Sequence, residues 1–196
     1  MKYGFMKVSA CIPEMRVADI KFNVSKIKES MDQCEQSKAG VTVFPELCIT
    51  GYTCGDLFYQ DVLIEQARVA LVDLKKYTAG KTGIYIIGVP LLVENSLLDC
   101  GAVIHNGVIL GIVPKTNVFT DNKRWFQSSK DLSVQTFYID GEEVPIGANL
   151  LFRDKNVEEF CFGVEIGEDL WSLIPPSSYH ALAGATMIFH LSASNE

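Results

Sequence analysis

The stretch GAVIHNGVILGIVPK, residues 101–115, decides the fold of this chain. Two β-rich apolar runs flank the dipeptide Asn106 and Gly107. This dipeptide favours a two-residue type I′ turn, because both of its residues tolerate positive φ. The stretch therefore predicts a β-hairpin, and with it an antiparallel pair of strands within the sheet.

Helical and strand patterns alternate along the rest of the chain. Residues 23–40 predict an amphipathic helix: Asn23 is a plausible N-cap, apolar residues recur at spacings of three and four, and Gly40 is a stop signal. Two more helices are predicted, a long one over residues 56–80 and a short one over residues 177–183. Strands are predicted within residues 3–11, 41–44, 83–93, 132–154, 158–166 and 186–193. This alternation favours a layered α/β or α+β sandwich.

Composition excludes several classes of function. The chain has 196 residues, of which 48% are hydrophobic, and it can therefore bury a sizeable core. A formal charge of −7, without a run of Lys or Arg, disfavours nucleic acids and anionic membranes as partners. No signal peptide or long apolar segment is apparent, and the six cysteines include no CxxC pair. We expect a cytoplasmic protein with buried, reduced thiols.

Three unusual positions each follow a predicted buried strand. Glu46 follows residues 41–44, Lys115 follows the hairpin, and Gly167 follows residues 160–166. The carboxyl ends of strands in open sheets converge on a crevice, where ligands usually bind. A carboxylate and an ammonium at such an edge can serve as a general base and an oxyanion-stabilising group.

Four longer motifs carry a resemblance to a known family. They are FPELCITGY (residues 44–52), VPKT (113–116), GVEIGEDLW (163–171) and LSASNE (191–196). In this order they resemble the nitrilase, or carbon-nitrogen hydrolase, superfamily, and within it the glutamine-hydrolysing domains of glutamine-dependent NAD synthetases. GDLF, IIGVP, the hairpin and KRWF extend the resemblance over essentially the whole chain. The resemblance implies an α-β-β-α sandwich.

The resemblance also implies a Glu-Lys-Cys triad that releases ammonia from glutamine for ATP-dependent amidation of deamido-NAD to NAD. Glu46 matches the general base and Lys115 the oxyanion support, but Gly167 stands where the family has its cysteine nucleophile. Glycine has no atom that can attack a carboxamide, and we therefore predict that the chain as written is inactive. Candidate contacts to glutamine are Tyr52, Glu168 and Ser194, which complete the set of predicted site residues.

Two further departures concern length. The family has a longer segment between Lys115 and Arg124, in the region that covers the glutamine, and its domain continues past residue 196. Residues 1–196 are therefore interpreted as the N-terminal portion of a glutaminase domain, with a sandwich incomplete at its C-terminus. The ATP-binding synthetase domain, with its ATP and Mg, is absent from this chain. We expect no cofactor or metal in this domain; the implied partners are glutamine, the synthetase domain and a second copy in a homo-oligomer.

Two alternatives remain open: another amidase of the superfamily, or a catalytically silent domain that binds an amide or a partner protein. His105 and His190 are interpreted as packing or surface residues. The aromatic residues Trp125, Phe126 and Trp171 are interpreted as core or interface anchors. Glu168 and Asp169 could also be a solvated pair.

Overall fold

A computed structural model describes residues 5–157 and 159–193. The helices of these ranges, α1 to α3, are Ile20–Gln36, Asp61–Tyr77 and Pro176–Leu182. The strands, β1 to β10 in chain order, are Val8–Ala10, Val41–Val43, Ile84–Val93, Ser96–His105, Val108–Pro114, Thr136–Ile139, Glu142–Pro145, Phe152–Arg153, Cys161–Ile166 and Met187–Leu191. None of the described helices has the length and apolar character needed to cross a bilayer.

The larger sheet has five strands in sequence order, β1 to β5. The first three strands are parallel, whereas β3, β4 and β5 form an antiparallel meander. Asn106 and Gly107 join β4 to β5 with φ of 45° and 78°, which confirms the predicted hairpin. Asp140 and Gly141 likewise join β6 to β7 with positive φ. A smaller sheet has the order β10-β9-β8, with β10 parallel to β9.

The two main sheets pack face to face. Phe162 of β9 lies at the centre of this interface, with its ring centroid 5.1 Å from that of Phe152 and 5.2 Å from that of Phe189. Val164 and Leu191 pack against β4 at Gly101. Helices α1 and α2 cover the other face of the larger sheet, and α3 lies on β9. The predicted α-β-β-α sandwich is confirmed.

Helix α1 differs from its predicted boundaries. It begins at Ile20, where the side chain of Asp19 accepts a hydrogen bond from the backbone N–H of Phe22 at 3.0 Å. The predicted N-cap Asn23 is instead buried inside the helix, and its amide group bonds the backbone of Arg16 and of Ile49. The N-cap prediction was wrong because Asn23 is used for these contacts to two loops. The helix ends at Gln36, before the predicted stop.

The topology brings three strand ends to one edge. Strand β5 runs in the same direction as β2 and β3, because β4 is antiparallel to both of its neighbours. The carboxyl ends of β2 and β5 therefore lie at the same edge of the larger sheet. The carboxyl end of β9, from the facing sheet, meets them there, since Gly167 contacts the side chains that follow both strands.

Candidate active site

Glu46 lies in a tight turn directly after β2. The turn rests on β3 at Gly88, where a Cβ would come within 2.3 Å of the Pro45 carbonyl oxygen and 2.4 Å of the Leu47 amide nitrogen. Only glycine permits so close an approach of two backbones. Glu46 is 2% exposed, and its Oε2 accepts a hydrogen bond from the backbone N–H of Ala193 at 3.3 Å. The carboxylate is therefore held in a fixed position beneath the strand ends.

Lys115 follows β5 and is 1% exposed. Its Nζ donates a hydrogen bond to Glu46 Oε1 at 2.7 Å, contacts the Glu168 carboxylate, and lies 3.8 Å from Asp99 Oδ2. Burial alone would lower the pKa of Lys115, but the surrounding carboxylates outweigh it and raise the pKa above its ordinary value. The ammonium therefore stays charged at neutral pH.

Gly167 is the first residue of a 3₁₀ turn, Gly167–Trp171, that follows β9. Its φ is +52°, a conformation that glycine adopts without a Cβ penalty. A Cβ at this position would lie 2.7 Å from Lys115 Nζ and 2.8 Å from both carboxylate oxygens of Glu46. Any side chain at residue 167 would therefore begin against both the carboxylate and the ammonium, and the ends of the Glu46 and Lys115 side chains would have to shift to admit it. The carbonyl of Gly167 accepts a hydrogen bond from His190 Nε2 at 2.8 Å.

Asp169 joins the turn after β9 to the end of β5. Its side chain is buried and accepts hydrogen bonds from the backbone N–H of Thr116 at 3.0 Å and of Asn117 at 2.5 Å. The side-chain amide of Asn117 donates a further bond at 3.0 Å. Burial raises the pKa of Asp169, although these bonds act in the opposite direction. The interpretation of Glu168 and Asp169 as a solvated pair was therefore wrong for Asp169, because its partners lie 52 and 53 residues away in sequence.

The predicted glutamine-contacting residues have three different outcomes. Tyr52 is half-buried, and its hydroxyl accepts a hydrogen bond from Asn122 Nδ2 at 2.9 Å. Burial, together with the charges of Glu46 and Glu168, raises the pKa of Tyr52, which keeps the phenol neutral. The Glu168 side chain is 27% exposed and reaches Lys115. Ser194 lies outside the described residues.

Sequence reasoning missed several polar neighbours of the site. Asp99 is buried beside Lys115, and Asn122 bonds Tyr52. His190, interpreted as a packing or surface residue, is half-buried and bonds the backbone of Gly167. One signal could have found Asp99, because a lone carboxylate within the apolar run SLLDCGAVIH is unusual in a buried strand.

The remaining aromatic and histidine residues of the sequence analysis differ in how deeply they are buried. Phe126 is buried, with its ring 4.8 Å from that of Phe58, and Trp125 is half-buried against the same core. Trp171 is 75% exposed and is not a core anchor. His105 Nδ1 is 3.1 Å from a backbone carbonyl oxygen at the end of the hairpin.

In the part of the chain that the structure describes, no group of three or more His, Cys, Asp or Glu side chains could hold a metal ion.

Comparison with known proteins places the chain in a class. Residues 7–190 match the family described as carbon-nitrogen hydrolase, and the chain belongs to that family. The glutamine-dependent NAD(+) synthetase of Mycobacterium tuberculosis (strain ATCC 25618 / H37Rv) is 34% identical over 196 residues, which span 98% of this chain and 29% of that protein. The human protein of the same name is 27% identical over 203 residues, or 96% of this chain and 28% of its own length. The chain thus spans less than a third of these relatives.

Solved structures show the same fold. A glutamine-dependent NAD(+) synthetase from Cytophaga hutchinsonii superposes with a TM-score of 0.83 at 24% identity, over 96% of this chain and 30% of that one. An amidase from Nesterenkonia sp. superposes with a TM-score of 0.73 at 13% identity, over 97% of this chain and 66% of that one. Both likenesses concern the fold, which the two proteins share with this chain at low sequence identity.

Proposed function

We propose that this chain is the glutamine-hydrolysing part of a glutamine-dependent NAD(+) synthetase, and that Gly167 leaves it without a nucleophile. One observation carries the proposal: the Cβ position of residue 167 lies 2.7 Å from Lys115 Nζ and 2.8 Å from the Glu46 carboxylate. The names of the mycobacterial and human relatives support the choice of glutamine and of NAD synthesis. The amidation of deamido-NAD would take place on a separate, ATP-dependent synthetase domain.

With a cysteine at residue 167, Glu46 would take the thiol proton and the thiolate would attack the carboxamide carbon. Lys115 would stabilise the oxyanion of the tetrahedral intermediate. Collapse of that intermediate would break the C–N bond, return the proton to the leaving ammonia and leave a γ-glutamyl thioester. Water, deprotonated by Glu46, would then attack the thioester carbonyl carbon; the C–S bond would break, glutamate would leave, and the thiolate would take the proton back from Glu46.

The charge of the site suits an amino-acid substrate. Glu46 and Glu168 together outweigh the single ammonium of Lys115. Glu168 is the more exposed of the two carboxylates and can therefore contact a substrate ammonium group that arrives from solvent. Tyr52 and Ser194 are further candidates to contact glutamine. Cytoplasmic location and self-association remain predictions.

A silent binding domain is the second candidate, and Gly167 is the observation that favours it. A chain that binds glutamine but cannot cleave it would retain Glu46, Lys115 and Glu168 and lack only the thiol. This candidate predicts that calorimetric titration detects glutamine binding by the chain as written, while the Gly167→Cys variant still releases no ammonia.

Ammonia release from glutamine tests the proposal. We expect none from the chain as written, turnover from Gly167→Cys, and none from the matched control Gly167→Ser, which places a weaker nucleophile on the same backbone. In the cysteine variant, Lys115→Ala should lower the rate by ~10²–10³ and Glu46→Gln by ~10²–10⁴. Comparable turnover by the chain as written and by its Gly167→Cys variant would contradict the assignment of the triad.

A further inference from the structure

Two carboxyl groups compete for one ammonium in the candidate active site. Glu46 and Asp99 are each 2% exposed, and both approach Lys115 Nζ, Glu46 Oε1 at 2.7 Å and Asp99 Oδ2 at 3.8 Å. Glu168 approaches the same ammonium from the 3₁₀ turn after β9. Three carboxylates around one Lys would leave an excess of two negative charges in a site largely closed to water. Such an excess is costly, and neighbouring carboxyl groups in buried sites commonly retain a proton.

The geometry identifies Asp99 as the group that holds the proton. Glu46 has the partners that an ionised carboxylate needs: the Lys115 ammonium at 2.7 Å and the backbone N–H of Ala193 at 3.3 Å. Asp99 Oδ2 is 3.8 Å from Lys115 Nζ, beyond hydrogen-bond distance. Asp99 Oδ1 has no hydrogen-bond partner among the described residues. The carboxyl group with the poorest stabilisation of its charge is the one that stays neutral.

We propose that Asp99 is a protonated carboxylic acid that donates a hydrogen bond to Glu46 and thereby holds Glu46 in place as an ionised carboxylate. Asp99 is therefore a positioning residue that acts through Glu46. This role rests on the proposed general-base function of Glu46, whereas the protonation of Asp99 does not. The two carboxyl groups approach the same ammonium, with Glu46 Oε1 at 2.7 Å and Asp99 Oδ2 at 3.8 Å from Lys115 Nζ, and both are buried.

The charged neighbours of Asp99 affect whether its carboxyl group keeps a proton. Burial raises the pKa of Asp99 well above its ordinary value, and the charges of Glu46 and Glu168 add to the rise, whereas Lys115 opposes it. Cys100, the next residue on β4, is a fully buried thiol whose own pKa is raised by burial and by Asp99. The folded protein therefore binds a proton that the unfolded chain has released above about pH 4.

The proton on Asp99 can be measured, because unfolding of the chain would release it. A carboxyl group whose pKa is raised by folding stabilises the folded state most at low pH, and this contribution is lost as the pH rises towards the folded-state pKa. Unfolding of the chain at neutral pH should consequently release about one proton more than unfolding of the Asp99→Asn variant. Asp154→Asn is the control, since Asp154 is exposed and should leave the number of released protons unchanged.

The experiment combines urea unfolding in weakly buffered solution with a pH indicator, on the chain and on both variants. Equal proton release by the chain and Asp99→Asn would overturn the proposal. NMR of the chain labelled with ¹³C and ¹⁵N is an independent readout: the carboxyl group assigned to Asp99, distinguished from that of buried Asp169, should keep its protonated chemical shift at neutral pH. Its absence would likewise overturn the proposal, even if Asp99→Asn fails to fold.

The positioning role has its own test in the Gly167→Cys protein. Asn at residue 99 is neutral and still donates a hydrogen bond, so that Asp99→Asn should keep kcat within about threefold of the parent. Asp99→Leu removes the donor, and kcat should fall by ~10-fold or more with little change in KM. Equal kcat for the Leu and Asn variants would refute the positioning role. An inactive Gly167→Cys protein would contradict the proposed function and leave the proton count to decide the state of Asp99.

Discussion

Replacement of Asp169 by Asn should weaken the connection between the two halves of the candidate active site. Asp169 follows β9, whereas its partners Thr116 and Asn117 follow β5. The substitution keeps the size of the side chain but removes its charge and replaces one acceptor oxygen by an NH₂ group. That group cannot accept from a backbone N–H. With the NH₂ group at the Oδ2 position, the Thr116 N–H faces a donor and keeps only its longer contact of 3.2 Å to the oxygen at the Oδ1 position.

The magnitude follows from the contacts. Hydrogen bonds to a charged group each contribute about 1.5–3 kcal/mol, and a buried donor without a partner costs about 1–3 kcal/mol. Asp169 is 1% exposed, and solvent therefore cannot replace the lost acceptor. Burial already raises the pKa of this carboxyl group, which reduces the share of the stability loss that comes from removal of its charge. We expect Asp169→Asn to lower the free energy of unfolding by about 2–3 kcal/mol.

Urea unfolding followed by far-UV circular dichroism measures this loss. Asp154→Asn is the control, because exposed Asp154 accepts from the backbone N–H groups of Asn156 at 2.7 Å and Val157 at 3.1 Å through Oδ1 alone, an oxygen that Asn retains. The control therefore removes a carboxylate charge without the loss of a bonded acceptor, and it should lose less than about 1 kcal/mol. Equal losses in the two variants would refute the reasoning that Asp169→Asn costs stability through a lost buried acceptor.

Two further predictions concern packing, and both are measured by urea unfolding. Gly88→Ala should lower the free energy of unfolding by about 2–4 kcal/mol, because its Cβ would meet the backbone of the Glu46 turn at 2.3 Å. Its cross-strand partner Gly101 is the control, since a Cβ there finds its nearest neighbour at 3.4 Å and Gly101→Ala should cost less than about 1 kcal/mol. Phe162→Ala should cost about 3–5 kcal/mol, whereas Phe162→Leu, which leaves a smaller cavity between the sheets, should cost less. A Gly88→Ala variant as stable as Gly101→Ala, or a Phe162→Ala variant as stable as Phe162→Leu, would contradict these expectations.

The sequence by itself determined the features that depend on a few neighbouring residues. The turn at Asn106 and Gly107 follows from the positive φ that these two residues tolerate, and the helical patterns follow from apolar spacing. The positions of Glu46, Lys115 and Gly167 after buried strands were also visible in the sequence. Their proximity could be expected because the carboxyl ends of strands converge at one edge of a sheet. Their roles were inferred from the motifs in which they stand.

Only the tertiary structure decided which polar groups share a site. Asn23 had the right residue type for an N-cap, but its amide is used by two loops, and Asp19 caps the helix instead. Asp169 stands beside a carboxylate in sequence but bonds the end of a strand from the facing sheet. Asp99 became a neighbour of Lys115 through the pairing of β4 with β5 and the burial of their common edge. Turn formation depends on the φ and ψ of adjacent residues, whereas burial and the partners of a charge depend on chain segments distant in sequence, which local patterns do not specify.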